Sequence, residues 1–329
     1  MDRLIYLLTG CLFLSCCGQK NVVDKLATTV SDTQHNLSSP VFNPDSAYAF
    51  VERQVQFGPR VPNTEAHRAC ARYLASELER FGARIYVQET VLTAYNGDRL
   101  QASNIIGVYN PEETKRVLLF AHWDSRPYSD WDADVNNHHK PIDGADDGAS
   151  GVGVLLEVAR QIGMNDIGIG IDIIFFDAED YGVPEFDSYA RMDTWGLGSQ
   201  FWAKNPHVPN YKTEYGILLD MVGGKNATFY KEGHSMEYAA PIVERVWNTA
   251  RNLGYGKFFI NALGGFVLDD HYYVITGRGI PCIDIISHDP TTTHRFVRYW
   301  HTQQDTMDNI DRETLKAVGQ TVLEVIYKN

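Results

Sequence analysis

The sequence predicts an α/β protein in three layers, with helices on both faces of a central, mostly parallel mixed sheet. Three observations carry that prediction. Apolar runs such as Val117-Leu118-Leu119-Phe120 are continuous rather than alternating, as in strands covered on both faces. These runs alternate along the chain with segments of helical period. Several of them end in His, Asp or Glu, and open α/β sheets form their sites beyond the carboxyl ends of the strands.

The chain begins MDRLIYLLTGCLFLSCCGQK. Arg3 precedes an apolar stretch over residues 4–14 that is too short to span a bilayer and reads as the core of a signal peptide. Cysteine after small residues at the end of such a core resembles a bacterial lipoprotein signal, whose cleavage leaves a lipidated cysteine. Leu14-Ser15-Cys16 selects Cys16 as the lipidation site, with Cys17 beside it. Leu8-Thr9-Gly10-Cys11 fits the motif better but follows a very short apolar core. The alternative is a plain secretory signal with incidental cysteines. The expected protein is exported and anchored by lipid to a bacterial membrane, facing the periplasm or the cell exterior. Residues 1–16 are then signal, residues 17–44 a polar, flexible tether, and residues 45–329 one catalytic domain.

Within that domain, Asp45-Ser46 supplies a helix N-cap before apolar residues at helical spacing. A second helix runs from Ala66 to Phe81 and stops at Gly82. Strands are expected at 85–92, 105–109, 117–122, 171–176, 217–220 and 281–286. Helices are expected at 151–162, 238–253 and 311–327. Cys70 falls in a helical pattern and Cys282 in a strand, so both are expected as buried free thiols. A formal charge of -13 argues against nucleic acid as a partner. A monomer is expected.

Five segments carry chemistry: AHWDSRP, DGADDGASG, FFDAEDYG, LLDMVG and WHTQQDTMDN. They supply His122, Asp124, Asp147, Glu179, Asp180, Asp220 and His301. Imidazole and carboxylate donors without thiolate suit zinc in a catalytic setting. A central cation would also let neighbouring carboxylates coexist. Each segment alone is weak evidence, because a strand-terminal Asp often just caps the next helix. His138 and His139 lie in a polar loop and are expected in solvent. The run Asp130, Asp132, Asp134 lacks the Gly and distal Glu of a calcium loop.

Taken in order, the five segments resemble the zinc-dependent M28 peptidase family. Within it, DAEDYG, WGLGSQFW, LDDHYYV and WHTQQD are similar to the animal-type glutaminyl cyclases, in a bacterial lipoprotein form. The resemblance implies a zinc-aminopeptidase-like fold and one zinc per chain, with two not excluded. It implies Asp147, Asp180 and His301 as zinc ligands and Glu179 as the general acid/base. The family more often has Glu where Asp180 stands, so reach to the metal depends on local backbone placement. His122 and Asp220 match residues that hold a second zinc in the aminopeptidases and join a hydrogen-bond network in the cyclases. Asp124 is expected to orient His122. Asp269 is expected to share a proton relay with Glu179 and Asp220. Trp195, Trp300, Phe266 and Leu268 are the expected substrate-binding walls. The implied substrates are peptides and proteins with N-terminal glutamine, converted to pyroglutamate with release of ammonia. An M28 aminopeptidase is the alternative, and a binding protein on the same scaffold would lack ligands or acid.

Overall fold

A computed structural model of the protein describes residues 38–188 and 192–329. The signal segment, Cys11, Cys16 and Cys17, and the tether as far as residue 37 lie outside the described residues. Among the described residues, no helix is long and apolar enough to cross a membrane.

The central sheet has six strands: β1 (Arg84–Thr93), β2 (Arg99–Tyr109), β3 (Arg116–His122), β4 (Gly170–Phe176), β5 (Gly216–Asp220) and, at its far edge, Cys282–Ile286. The last is β8, because a short parallel pair, β6 (Phe229–Lys231) and β7 (Phe259–Leu263), precedes it in the chain. The spatial order is β1-β2-β4-β3-β5-β8. β1 and β2 join antiparallel at one edge, and β4, β3, β5 and β8 run parallel.

Alternate side chains of each strand leave for opposite faces. Leu119, Ile173, Phe175, Leu219 and Ile285 pack with α1 (Pro44–Val55), α2 (Glu65–Arg80), α3 (Ala149–Met164), α5 (Gly233–Asn252) and α7 (Arg312–Tyr327). Leu118, Phe120, Phe176 and Leu218 pack on the other face, against α4 (Leu197–Lys204) and α6 (Asp270–Arg278). The result is the expected three layers. Cys70 and Cys282 are free and buried, and burial pushes the Cys70 thiol up to about 12.

Some boundaries differ from the sequence reading. The N-cap of α1 is Asn43, whose side chain accepts from the N–H groups of Asp45 and Ser46, with Pro44 at the first helical position. Pro lacks the N–H that a helix start leaves unused, so the helix begins one residue before the expected Asp45 cap. The folded body begins earlier still. Phe42 is 1% exposed and packs on Gly319 of α7, so the tether ends before residue 44. α4, α6, β6 and β7 were not expected, since eight or nine residues of helix and three or five of strand give too little period. α5 starts at Gly233 and breaks its helical geometry at Ala239, two residues before Pro241.

Candidate active site

Three adjacent strand ends build the site. β3 ends in His122 and β5 in Asp220. β3 pairs with β4 so that His122 lies opposite Phe176, which brings the segment after β4 alongside. That segment turns at Ala178, which takes a left-handed φ of 51°. Asp124 then fixes it, accepting from the backbone N–H of Glu179 at 3.1 Å and of Asp180 at 3.2 Å. Its carboxylate also lies 3.5 Å from His122 Nδ1. Asp124 therefore faces His122 and also pins the backbone that presents the two acids.

Asp147 arrives on the loop before α3. The N–H groups of Asp146 and Asp147 donate to the two oxygens of Asp305, at 2.8 and 3.1 Å. His301 comes from the last loop with a φ of 53°. A non-glycine residue in that region is strained unless its surroundings hold it. Trp300 stacks on its ring at 3.7 Å between centroids, and Trp195 lies nearly parallel to it at 6.1 Å.

These side chains form two buried trios that share Asp147: Asp147, Asp180, His301 and His122, Asp147, Asp220. His301 Nε2 is 3.2 Å from Asp180 Oδ1 and 3.5 Å from Asp147 Oδ2. The backbone placed by Asp124 thus brings the shorter Asp180 within reach of His301. Asp180 Oδ2 is buried without a hydrogen-bond partner. Two carboxylates, one of them with this unpaired buried oxygen, and one imidazole fit a zinc ion. In the other trio His122 Nε2 is 3.0 Å from Asp147 Oδ1 and 3.2 Å from Asp220 Oδ1. A third buried trio, Asp269, His271 and Asp284, joins the cavity through Asp269.

Electrostatically the site is crowded with acids. Burial raises the proton affinity of Glu179 well above that of an ordinary carboxyl, and Asp269, Asp180 and Asp270 push it further against the pull of His122. Burial likewise raises Asp220, with Asp147 and Asp269 adding to it. Asp180 is raised by burial and by Asp147. Like charges in a low-dielectric space produce such shifts, and a bound cation relieves them.

A cavity of about 330 Å³ opens over these groups. Glu179, Asp180, Asp220 and Asp269 reach it at the floor, and Trp195, Trp300, Leu268 and Phe266 line it. Phe266 is 69% exposed and so stands at the mouth. His122 and Asp124 sit beneath, outside the lining. His138 and His139 are apart from the trios, with His138 Nε2 2.9 Å from the Asp132 carbonyl and both rings against Phe186.

Sequence reasoning missed several supports. Asp130, set aside with a calcium-like run, is buried. It takes Arg126 bidentately at 2.8 and 2.6 Å and faces His301 Nδ1 at 3.5 Å. Arg126 also stacks on Trp195 at 4.7 Å and donates to the Asp180 carbonyl. Arg126 stands in AHWDSRP itself, and a lone Arg followed four residues later by Asp was the available signal. Asp177 forms a buried pair with His67 at 2.9 Å and accepts from Ser103 N–H. His67 lies on a distant helix, so no local spacing announced that pair.

Comparison with known proteins agrees with this geometry. The model of peptidase family M28 matches residues 104–326. A Zn-dependent exopeptidase from Parabacteroides distasonis is 70% identical, with a TM-score of 0.88, covering 89% of this chain and 100% of that one. Tannerella forsythia glutaminyl cyclase is 69% identical, with a TM-score of 0.87, over 88% of this chain and 100% of that one. The glutaminyl-peptide cyclotransferase of Bos taurus is 26% identical over 302 residues, spanning 82% of this chain and 79% of that one. On the match to two-thirds of its length and on these relatives, the chain belongs to peptidase family M28.

Proposed function

We propose that the protein is a glutaminyl-peptide cyclotransferase, converting the N-terminal glutamine of peptides and proteins to pyroglutamate. The observation that carries this reading is a buried acid of raised proton affinity, Glu179, beside the Asp147, Asp180, His301 trio in a tryptophan-walled cavity. The glutaminyl cyclase relative at 69% identity supports it. Asp147, Asp180 and His301 would hold the zinc. When bound there, zinc supplies a Lewis acid that polarises the γ-carbonyl of the glutamine.

The reaction is intramolecular. The α-amine forms a bond to its own γ-amide carbon, the bond from that carbon to the amide nitrogen breaks, and ammonia leaves. Glu179 takes a proton from the attacking amine and returns it to the departing nitrogen. A carboxyl of ordinary acidity would be a poor donor at neutral pH, and burial beside Asp269 and Asp180 corrects that. Asp220 and Asp269 keep the proton close to Glu179. Trp195, Trp300 and Leu268 hold the side chain and exclude water, which would otherwise hydrolyse the amide.

Incubation with a Gln-initiated peptide is expected to release ammonia and leave the peptide 17 mass units lighter. Loss of the whole first residue instead would make the protein an aminopeptidase. One observation favours that second reading: the two trios share Asp147 as a bridging ligand would.

The N-terminal sequence supports export and lipidation at Cys16. Cys16→Ser is expected to abolish labelling by a palmitate analogue and move the protein to the soluble fraction. Labelling that persists would point to Cys11 or Cys17.

A further inference from the structure

We propose that Arg295 selects substrates carrying an acidic residue one or two positions after the glutamine; this rests on the cyclase reading. After β8 the chain runs over the mouth of the cavity, and His288, His294, Arg295 and Phe296 all line it. Arg295 is exposed and takes a left-handed φ of 71°. Its carbonyl accepts from Asp289 N–H at 2.8 Å, which closes the loop and fixes that position.

Among the described residues the guanidinium of Arg295 has no hydrogen-bond partner. Among the described residues no carboxylate lies within ion-pair distance of it. The nearest candidate in sequence, Asp289, accepts from the N–H and Oγ of Thr291 at 2.8 and 2.6 Å, and its charge interacts with Arg298 and His288. The two histidines add no fixed charge. Burial lowers both, and their rings pack on Tyr230 and on Trp131 and Trp300. The mouth therefore presents a fixed positive charge on a chain of formal charge -13.

The cavity floor is the opposite, lined by five carboxyl groups: Asp147, Glu179, Asp180, Asp220 and Asp269. With glutamine at the floor, the following residues emerge at the mouth. An acidic side chain there meets Arg295, and a basic one meets repulsion. Exposed ion pairs are modest, so the expected preference is about two- to fivefold. The contact exists equally in the ground and transition states, so it should appear in KM and not in kcat.

The test compares ammonia release from Gln-Glu-Ala-Ala and Gln-Lys-Ala-Ala amides, and from Gln-Ala-Glu-Ala and Gln-Ala-Lys-Ala amides. The wild-type protein should show a lower KM for the acidic member of at least one pair at low salt. The ratio should shrink toward one at 1 M salt, where the Debye length is about 3 Å. Arg295→Ala should flatten the ratio and Arg295→Glu should invert it. Equal KM values within both pairs, or a ratio unchanged in Arg295→Glu, would overturn the proposal and leave the cyclase reading intact. Absence of ammonia from all four peptides would overturn both.

Discussion

Glu179 and Asp180 are neighbours in sequence to which the proposed reaction gives opposite duties, and Asp124 holds both of their backbone N–H groups. Glu179→Gln keeps the shape and removes the proton exchange. It is expected to lower kcat by about 10²–10⁴-fold while bound zinc, measured by metal analysis, stays stoichiometric. Retained turnover would remove Glu179 from its role. Asp130 acts one step back, through its position 3.5 Å from His301 Nδ1 and its bidentate pairing with Arg126. Asp130→Asn should weaken zinc affinity about 10- to 100-fold, read by chelator competition, because the outer partner fixes ring orientation and basicity.

At the scale of elements, short helices carry the site more than long ones do. α6 begins with Asp269 as its N-cap, which accepts from the N–H of Asp270 at 2.5 Å. Glu232 caps α5 and ties the two helices together, accepting from Ser235 N–H and, at 3.0 Å, from both Val267 N–H and His271 Nε2. Burial alone would raise this carboxyl, but the bonds from His271 and Ser235 outweigh it and hold it at about 2. A folded value below the unfolded one gives stability that is present above the ordinary Glu range and is lost as pH falls through it. Between pH 5 and pH 2 the wild type should therefore lose about 3 kcal/mol that Glu232→Gln does not. Denaturant titrations of the two proteins across that window measure the difference, and parallel curves would contradict it. α3 makes a related point, because a Cβ on Gly151 would collide with the Leu219 carbonyl. Glycine there lets α3 pack against β5 directly beneath Asp147 and Asp220.

The whole molecule gathers acids that a folded chain would otherwise avoid. Asp147, Glu179, Asp180, Asp220 and Asp269 are all buried within one small volume. A cation bound only by the folded state should stabilise it by about 4 kcal/mol when free zinc stands a thousandfold above its Kd. Stripping the metal should lower Tm accordingly, and zinc should restore it. An unchanged Tm would mean that the folded state does not depend on the ion. The N-terminal joint is a second whole-molecule feature. Phe42, before the first helix, fills a space against Gly319 on the last helix. Phe42→Ala should destabilise the body by about 3–5 kcal/mol in chemical unfolding, as large buried truncations do.

Taken by itself, the sequence determined the layers, and its five segments named the residues that the structure gathers into two trios around Asp147. Continuous apolar runs at β3, β4 and β5, each followed by His or Asp, made the parallel core and its reactive edge legible, because burial on both faces leaves no alternation. It also marked both body cysteines as buried thiols. Tertiary structure alone decided which groups meet. Asp130 facing His301, Asp305 under Asp147, His67 against Asp177 and Arg295 at the mouth join segments tens to hundreds of residues apart. No periodicity encodes such pairings. They arise only when crossover connections bring strand ends and loops to one edge of the sheet. The same holds for Asp180, which a backbone turn and Asp124 bring to 3.2 Å from His301, neither visible in its own sequence neighbourhood.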